Sequence, residues 1–181
     1  YAKKMDGVGK HKDHLNNTFA YGHDIVTIGV HTGHGCLPLA SKPYVRKENA
    51  KKGITFQTKN QIAEKAIKRI NKEINLDIMT MDSWYGNNTN LVLSFRGLGI
   101  KVVAAIKSNR NITLNHKKQY TREYFTKLES KDFEIFIETE DGKEKGRYRL
   151  HKVNVFISRL GNMDLLISQQ WDKDKKKWTE P

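Results

Sequence analysis

Between Leu76 and Ile106 two apolar runs bracket a short amphipathic stretch, and no other part of the chain constrains the fold as strongly. Leu76 to Asp82 reads as a strand. Asn88 to Arg96 reads as a helix closed by Gly97 and Gly99, and Ile100 to Ile106 as a second strand. A strand, a short helix and a strand join by a right-handed crossover, so the two strands are expected to be parallel neighbours.

The segments on either side are of other kinds. Residues 1–18, which include "YAKKMDGVGKHKDH", are polar and basic and read as loop. Phe19 to His31 reads as a strand through the β-branched Ile25, Val26, Ile28 and Val30. "HTGHG" then signals a turn, and "CLPLASKPYV" reads as a returning strand that Pro38 and Pro43 mark as an edge or an early end. A helix follows. Thr58 and Gln61 make a capping box, and Ile62, Ala66, Ile67, Ile70 and Ile74 share one face, with Lys65, Lys68, Arg69 and Lys72 opposite.

Beyond "KSNRN" a short helix around Thr121 to Leu128 leads into three extended segments, Phe133–Glu138, Tyr148–Arg159 and Met163–Trp171. "EDGK" and "LGN" separate them, which predicts a meander. No internal repeat or low-complexity tract is visible. The expected fold is therefore α/β: a ribonuclease-H-like mixed sheet, made of an antiparallel hairpin and a parallel βαβ unit, with an antiparallel β insertion. A doubly wound nucleotide fold would alternate from the start and carry an early Gly-rich phosphate loop, and neither is present.

Lys and Arg number 33 against 20 Asp and Glu, a formal net charge of +13. That excess favours a polyanionic partner, with nucleic acid ahead of an acidic membrane, although an AT-rich coding sequence would also enrich Lys. The one cysteine, Cys36, excludes an internal disulfide and suits a reducing cytosol. No apolar run is long enough to span a bilayer, the longest being near Val102 to Ile106. Position 1 is not Met and the sequence stops at Glu180-Pro181, so the chain is expected to be an excerpt of a longer polypeptide.

Asp82 is the leading candidate for chemistry. It closes a strand whose neighbour is parallel to it, and open α/β sheets place their sites at that end because the loops diverge there. The plain alternative is a capping or turn Asp. "KSNR" (Lys107 to Arg110) follows the adjacent strand, so its cations should emerge on the same rim and meet phosphates. Arg147, Lys152 and Arg159 could extend that surface or form a solvated strand face. Trp84 and Tyr85 could wall the site, stack on a displaced base or simply pack the rim.

Other candidates are weaker. His11, His14, His31, His34 and Cys36 suggest zinc, but no second CxxC-type pair accompanies them, and His23 and His31 would lie roughly 26 Å apart at strand rise. Cys36 as a nucleophile needs a paired His, and it reads more simply as a small buried residue. Gly7 and Gly9 neither follow a strand nor open a helix.

"YAKKMDGVGKH", "YGHDIVTIGV", "MDSWYG" and "KSNR", in this order, resemble the cut-and-paste DDE transposases of bacterial insertion sequences. The resemblance covers nearly the whole chain, and "DSWYG" after an apolar strand is its most specific piece. It implies a ribonuclease-H-like catalytic domain in which three carboxylates hold two Mg²⁺ (or Mn²⁺) ions that cleave DNA and transfer the strand. The middle acid matches Asp82, as a metal ligand. The first acid would precede Tyr1, and the Glu would follow Pro181, beyond a β-rich insertion; Glu123, Glu129 and Glu180 do not sit in a matching helix. The implied division is 1–110, a partial core lacking its first strand, and 111–181, the insertion that precedes a missing C-terminal helix. Asp82 is thus expected to be catalytic, with Lys107, Asn109, Arg110, Trp84 and Tyr85 on DNA. The implied partners are double-stranded transposon ends and target DNA, with self-association on DNA, no membrane and no small-molecule cofactor. The implied location is the bacterial cytoplasm, at the nucleoid when bound. The alternative is a non-catalytic nucleic-acid-binding remnant of the same fold; a small-molecule α/β enzyme would need a phosphate loop or nucleophile motif.

Overall fold

The computed structural model describes residues 7–13, 16–32, 35–50 and 55–180. The chain divides into two compact units, one ending at Ala105 and the other beginning at Ile106.

The first unit opens with a hairpin where a loop was expected. Strands β1 (Gly9–Asp13) and β2 (Thr18–Gly22) pair antiparallel from Gly9↔Gly22 to Asp13↔Thr18. Thr18 to Tyr21 are all exposed, so β2 has no buried face to impose the alternation that marks a strand in sequence. The single strand expected over Phe19–His31 breaks at His23, and β3 (Asp24–Thr32) starts afresh. It pairs antiparallel with β4 (Gly35–Tyr44). The register slips after Ile28, where Pro38, which has no N–H to give, comes opposite Gly29.

Helix α1 (Lys59–Ile74) starts as the sequence dictates: Gln61 N–H donates to Thr58 Oγ1 at 3.2 Å, and Thr58 N–H donates to Gln61 Oε1 at 2.9 Å. Ile62, Ala63, Ile67 and Ile70 are buried. Ile74, expected on the same face, is 51% exposed in the last turn, and Ala63 is buried in addition. Asn75 ends the helix in the left-handed region (φ 43°), where Asn tolerates the backbone better than most residues.

Strand β5 (Ile78–Met81) and strand β6 (Lys101–Ala104) are parallel, paired from Ile78↔Lys101 to Met81↔Ala104, as the crossover predicts. A single turn of helix, α2 (Ser83–Gly86), and then α3 (Thr89–Arg96), capped by Asn88, connect them. Ile67, Leu91, Phe95 and Ile100 form the core here, with Ile28, Met79, Met81 and Val102 packed on it. Val26, Ile62 and Ala63 form a second cluster with Tyr44, and Tyr85 packs against both. Tyr85 therefore ties the hairpin side of the unit to the crossover side. Among the described residues β3–β4 and β5–β6 are separate ladders, so the expected hairpin and parallel pair are both present but are not hydrogen-bonded into one sheet.

The second unit is mostly antiparallel sheet. β7 (Asn111–Leu114) and β8 (Lys117–Tyr120) form a hairpin whose turn residues, Asn115 and His116, both have positive φ (48° and 62°). After α4 (Thr121–Phe125) come β9 (Glu134–Glu140), β10 (Lys143–Ile157), β11 (Gly161–Asp172) and β12 (Lys177–Trp178). The meander is as expected, with Asp141 and Gly142 at its first turn (φ 51° and 73°). β10 is long enough for β9 and then β7 to pair with it in succession, while β11 lines its other edge. Ile112, Val155, Ile157, Leu165 and Ile167 are buried beneath it.

Candidate active site

Asp82 follows the last residue of β5 and starts the next element. Its Oδ1 accepts the N–H groups of Trp84 at 2.9 Å and Tyr85 at 3.2 Å, so the carboxylate is the cap of α2. The turn is tight because Gly86 N–H reaches Asp82 O at 2.8 Å and Gly86 packs directly on the end of β6. Oδ2 takes no part in the cap, and the residue is exposed.

The two aromatics that follow go different ways. The Trp84 indole is 65% exposed, whereas Tyr85 is half-buried between the two apolar clusters. Burial pushes the Tyr85 phenol up, and the negative charges of Asp82 and Asp24 push it further. Tyr85 stays neutral and serves the core, with both acids near enough to be felt.

Asp24 was not anticipated from the sequence. It opens β3, and its Oδ2 lies 2.5 Å from Lys59 Nζ and 3.6 Å from His11 Nδ1. The Lys59 ammonium also lies 5.3 Å from the Tyr44 ring centroid and 5.7 Å from that of Trp84. With Arg46, Glu48, Thr58 and Asn60 these side chains line a cavity of about 560 Å³. No motif links Asp24 and Lys59, because they meet only where the starts of β3 and α1 come together.

Lys107, Asn109 and Arg110 lie in a turn of the second unit, in which Arg110 N–H donates to Lys107 O at 2.9 Å. Thr121 at the start of α4 holds that turn, donating its hydroxyl to Ser108 O at 2.7 Å. Lys107 and Asn109 are exposed and Arg110 is half-buried. Asp82, Trp84 and Tyr85 belong to the first unit.

Among the described residues no three His, Cys, Asp or Glu side chains gather closely enough to hold a metal ion. Asp82 alone does not make such a centre, since a divalent cation wants several oxygen ligands. His14 and His34 of the zinc reading lie outside the described residues. Cys36, expected to be buried, is exposed. It stands beside the β3–β4 turn, whereas the residues of this hairpin that face α1 are nearer its other end.

A family model described as DDE superfamily endonuclease matches residues 24–125, from β3 through α4. The chain belongs to the DDE superfamily endonucleases. No curated protein and no solved structure matches it. The mixed α/β fold, with its antiparallel hairpins and parallel pair, is consistent with such a domain. The family acts as nucleases on DNA and generally uses divalent metals, and the matched span contains Asp82, Trp84, Tyr85 and the Lys107–Arg110 turn. Among the described residues no helix is long and apolar enough to cross a membrane.

Proposed function

We propose that this chain is part of the catalytic domain of a DNA transposase that cleaves the ends of an insertion sequence and transfers the strand to target DNA. The observation that carries the proposal is the position of Asp82, an exposed carboxylate at the carboxyl end of a parallel strand inside the span matched by the endonuclease family. In this reading residues 1–110 belong to the ribonuclease-H-like core and 111–181 to its β-rich insertion. A further strand then joins the β3–β4 and β5–β6 ladders into one sheet. Asp82 is one ligand of the divalent-metal centre, which acids outside the described residues complete. When bound, the metal supplies charge stabilisation at the scissile phosphate. Asp82 itself contributes a carboxylate whose Oδ1 accepts two backbone N–H groups, which fixes its direction.

The net charge of +13 supports a DNA partner, and Lys107, Asn109 and Arg110 are proposed to contact phosphates. Binding of the chain to duplex DNA should then weaken steeply with salt, whereas a flat response refutes the basic surface. The decisive test uses the polypeptide extended along its reading frame in both directions. Asp82→Asn should abolish metal-dependent nicking without changing the circular dichroism spectrum; retained nicking ends the proposal.

The second reading is a non-catalytic DNA-binding module of the same fold, and the lack of a metal-holding cluster among the described residues is common to both readings. Extending the reading frame separates the two. An Asp shortly upstream and a Glu on a downstream helix support the enzyme; stops or substituted acids support the module.

A further inference from the structure

We propose that the open edge of β9 takes up a strand of a partner protein, an extended segment in which Lys or Arg alternates with β-branched apolar residues. The proposal goes beyond the reading of DNA as substrate and does not rest on it.

Among the described residues β9 pairs only with β10, so its other edge presents backbone N–H and C=O groups with no strand beside them. The side chains along it are apolar and uncovered: Ile135, Phe136 and Ile137 are 58, 54 and 47% exposed. Sheets commonly blunt such an edge by keeping it short or placing lysine on it. This sheet does so elsewhere. β8 has four residues, of which Lys117 and Lys118 are two, and β12 has two residues. β11 is open beyond its pairing with β12, but it buries Leu165, Ile167 and Gln169. β9 has seven residues, no lysine and three consecutive exposed apolar side chains.

The charges on β9 say which partner fits. Glu134, Phe136, Glu138 and Glu140 share one face of the strand, and Ile135, Ile137 and Thr139 share the other. Lys145 lies 3.2 Å from Glu140 and 3.9 Å from Glu138, so one ammonium is divided between two carboxylates and the edge stays negative. A second copy of the chain is a poor occupant. Pairing two β9 strands antiparallel about Phe136 sets Glu134 opposite Glu138, and pairing them about Ile137 sets Glu134 opposite Glu140. Like charges directly opposite are destabilising. Nucleic acid fits no better, since its phosphates would meet the same carboxylates.

A basic strand answers both faces. Lys opposite Glu134 and Glu138 makes cross-strand ion pairs, and Val or Ile opposite Ile135 and Ile137 covers the exposed apolar surface. The main chain of the incoming strand supplies the missing hydrogen bonds, and its alternate side chains supply the selection. The long-range field runs the other way. With a net charge of +13 the chain as a whole attracts anions, so a preference for a basic strand must come from these few local acids.

The test titrates the 181-residue chain with three end-blocked peptides: Lys-Val-Thr-Val-Lys-Val-Lys, and the same peptide with Glu or with Thr in place of every Lys. The lysine peptide should bind most tightly and the glutamate peptide least, and amide hydrogen exchange should slow across Glu134–Glu140. Glu134→Gln combined with Glu138→Gln should weaken the lysine peptide about 2- to 25-fold, the loss of two cross-strand charge pairs, and change the threonine peptide less than about twofold. Ile135→Thr combined with Ile137→Thr keeps strand-favouring residues and should weaken the lysine and threonine peptides alike. Equal binding of the lysine and glutamate peptides overturns the proposal. So does lysine-peptide binding that leaves β9 exchange unchanged, or no binding at all. Self-association of the chain that the Ile135→Thr, Ile137→Thr variant abolishes also overturns it, by making β9 a contact between copies. No DNA enters the test, so its failure and the failure of the nicking assay are distinguishable.

Discussion

Asp82 Oδ1 accepts the backbone N–H of Trp84 at 2.9 Å, so the acid proposed to ligate metal is also what starts the turn that displays the indole. Structure and chemistry share one side chain but not one property of it. The cap needs an acceptor oxygen, and metal binding needs a charge. Asp82→Asn keeps the acceptor and should cost little stability, whereas Asp82→Ala removes the cap and should cost about 1 kcal/mol. Both should abolish nicking in the extended polypeptide. Urea denaturation beside a nicking assay checks this. Equal destabilisation by the two variants would mean that the cap contributes nothing.

Gly86 has no room for a side chain. A Cβ there would collide with the Ala105 carbonyl oxygen and lie 2.8 Å from the Ala104 Cβ, both at the end of β6. Gly86→Ala must therefore push α2 away from the strand, and forced overpacking of this kind costs about 1–3 kcal/mol. Because α2 carries the Asp82 cap, the same shift should lower nicking even under conditions in which the variant is fully folded. Wild-type stability in urea would show that the turn yields freely.

The order of elements from β5 to β6 was legible because two short apolar runs and a capped amphipathic segment leave one economical connection. Helix α1 was legible because Thr58 and Gln61 spell its start. The β1–β2 ribbon was not, since β2 is exposed on both faces and needs no alternation. The β7–β8 hairpin was missed for another reason: its turn uses Asn115 and His116 rather than the Asn-Gly or Asp-Gly pairs that announce such turns. At the candidate site the sequence pointed to Asp82 through its place after a strand. It could not point to Asp24 and Lys59, whose 2.5 Å approach depends on how β3 and α1 start beside each other.

Glu64 links α1 to α3 and should make the first unit acid-sensitive. Its Oε1 accepts from Lys68 Nζ at 2.7 Å and from Ser94 Oγ at 2.6 Å. The Lys68 bond first, and the Ser94 bond second, hold the carboxyl below its usual range. A carboxyl lowered on folding stabilises the fold above its unfolded value of about 4.3, and that contribution is lost as pH falls through the folded value. The stability gap between wild type and Glu64→Gln should therefore be widest near neutral pH and narrow as pH falls below the unfolded value and through the lowered folded one. The side chain is one-third exposed, so salt should narrow the gap. Urea midpoints across pH at low and high salt measure it, and a gap that persists at the acid end would assign the effect to packing instead of charge.

In the second unit one guanidinium organises the last strands. Arg149 lies between two rings, 4.4 Å from the Phe133 centroid and 5.1 Å from that of Trp178, and its Nε donates to Gln169 Oε1 at 2.5 Å. Gln169 is only 5% exposed, and its Nε2 donates onward to Thr179 O at 2.6 Å. Burial lowers the Arg149 pKa, yet a guanidinium stays charged at any ordinary pH, so the rings and the Gln169 oxygen must offset its desolvation. Arg149→Met should destabilise the unit by about 1–3 kcal/mol, chiefly by leaving Gln169 Oε1 buried and unsatisfied. Arg149→Lys should fall between, since an ammonium cannot stack flat on both rings. If the unmet oxygen is the cause, Gln169→Leu added to Arg149→Met should cost less than the two single changes summed. The measurement is urea unfolding followed by fluorescence in a Trp84→Phe background. There only Trp171 and Trp178, both in this unit, report. Additive losses would show that the stacking, rather than the hydrogen bond, holds β10, β11 and β12 together.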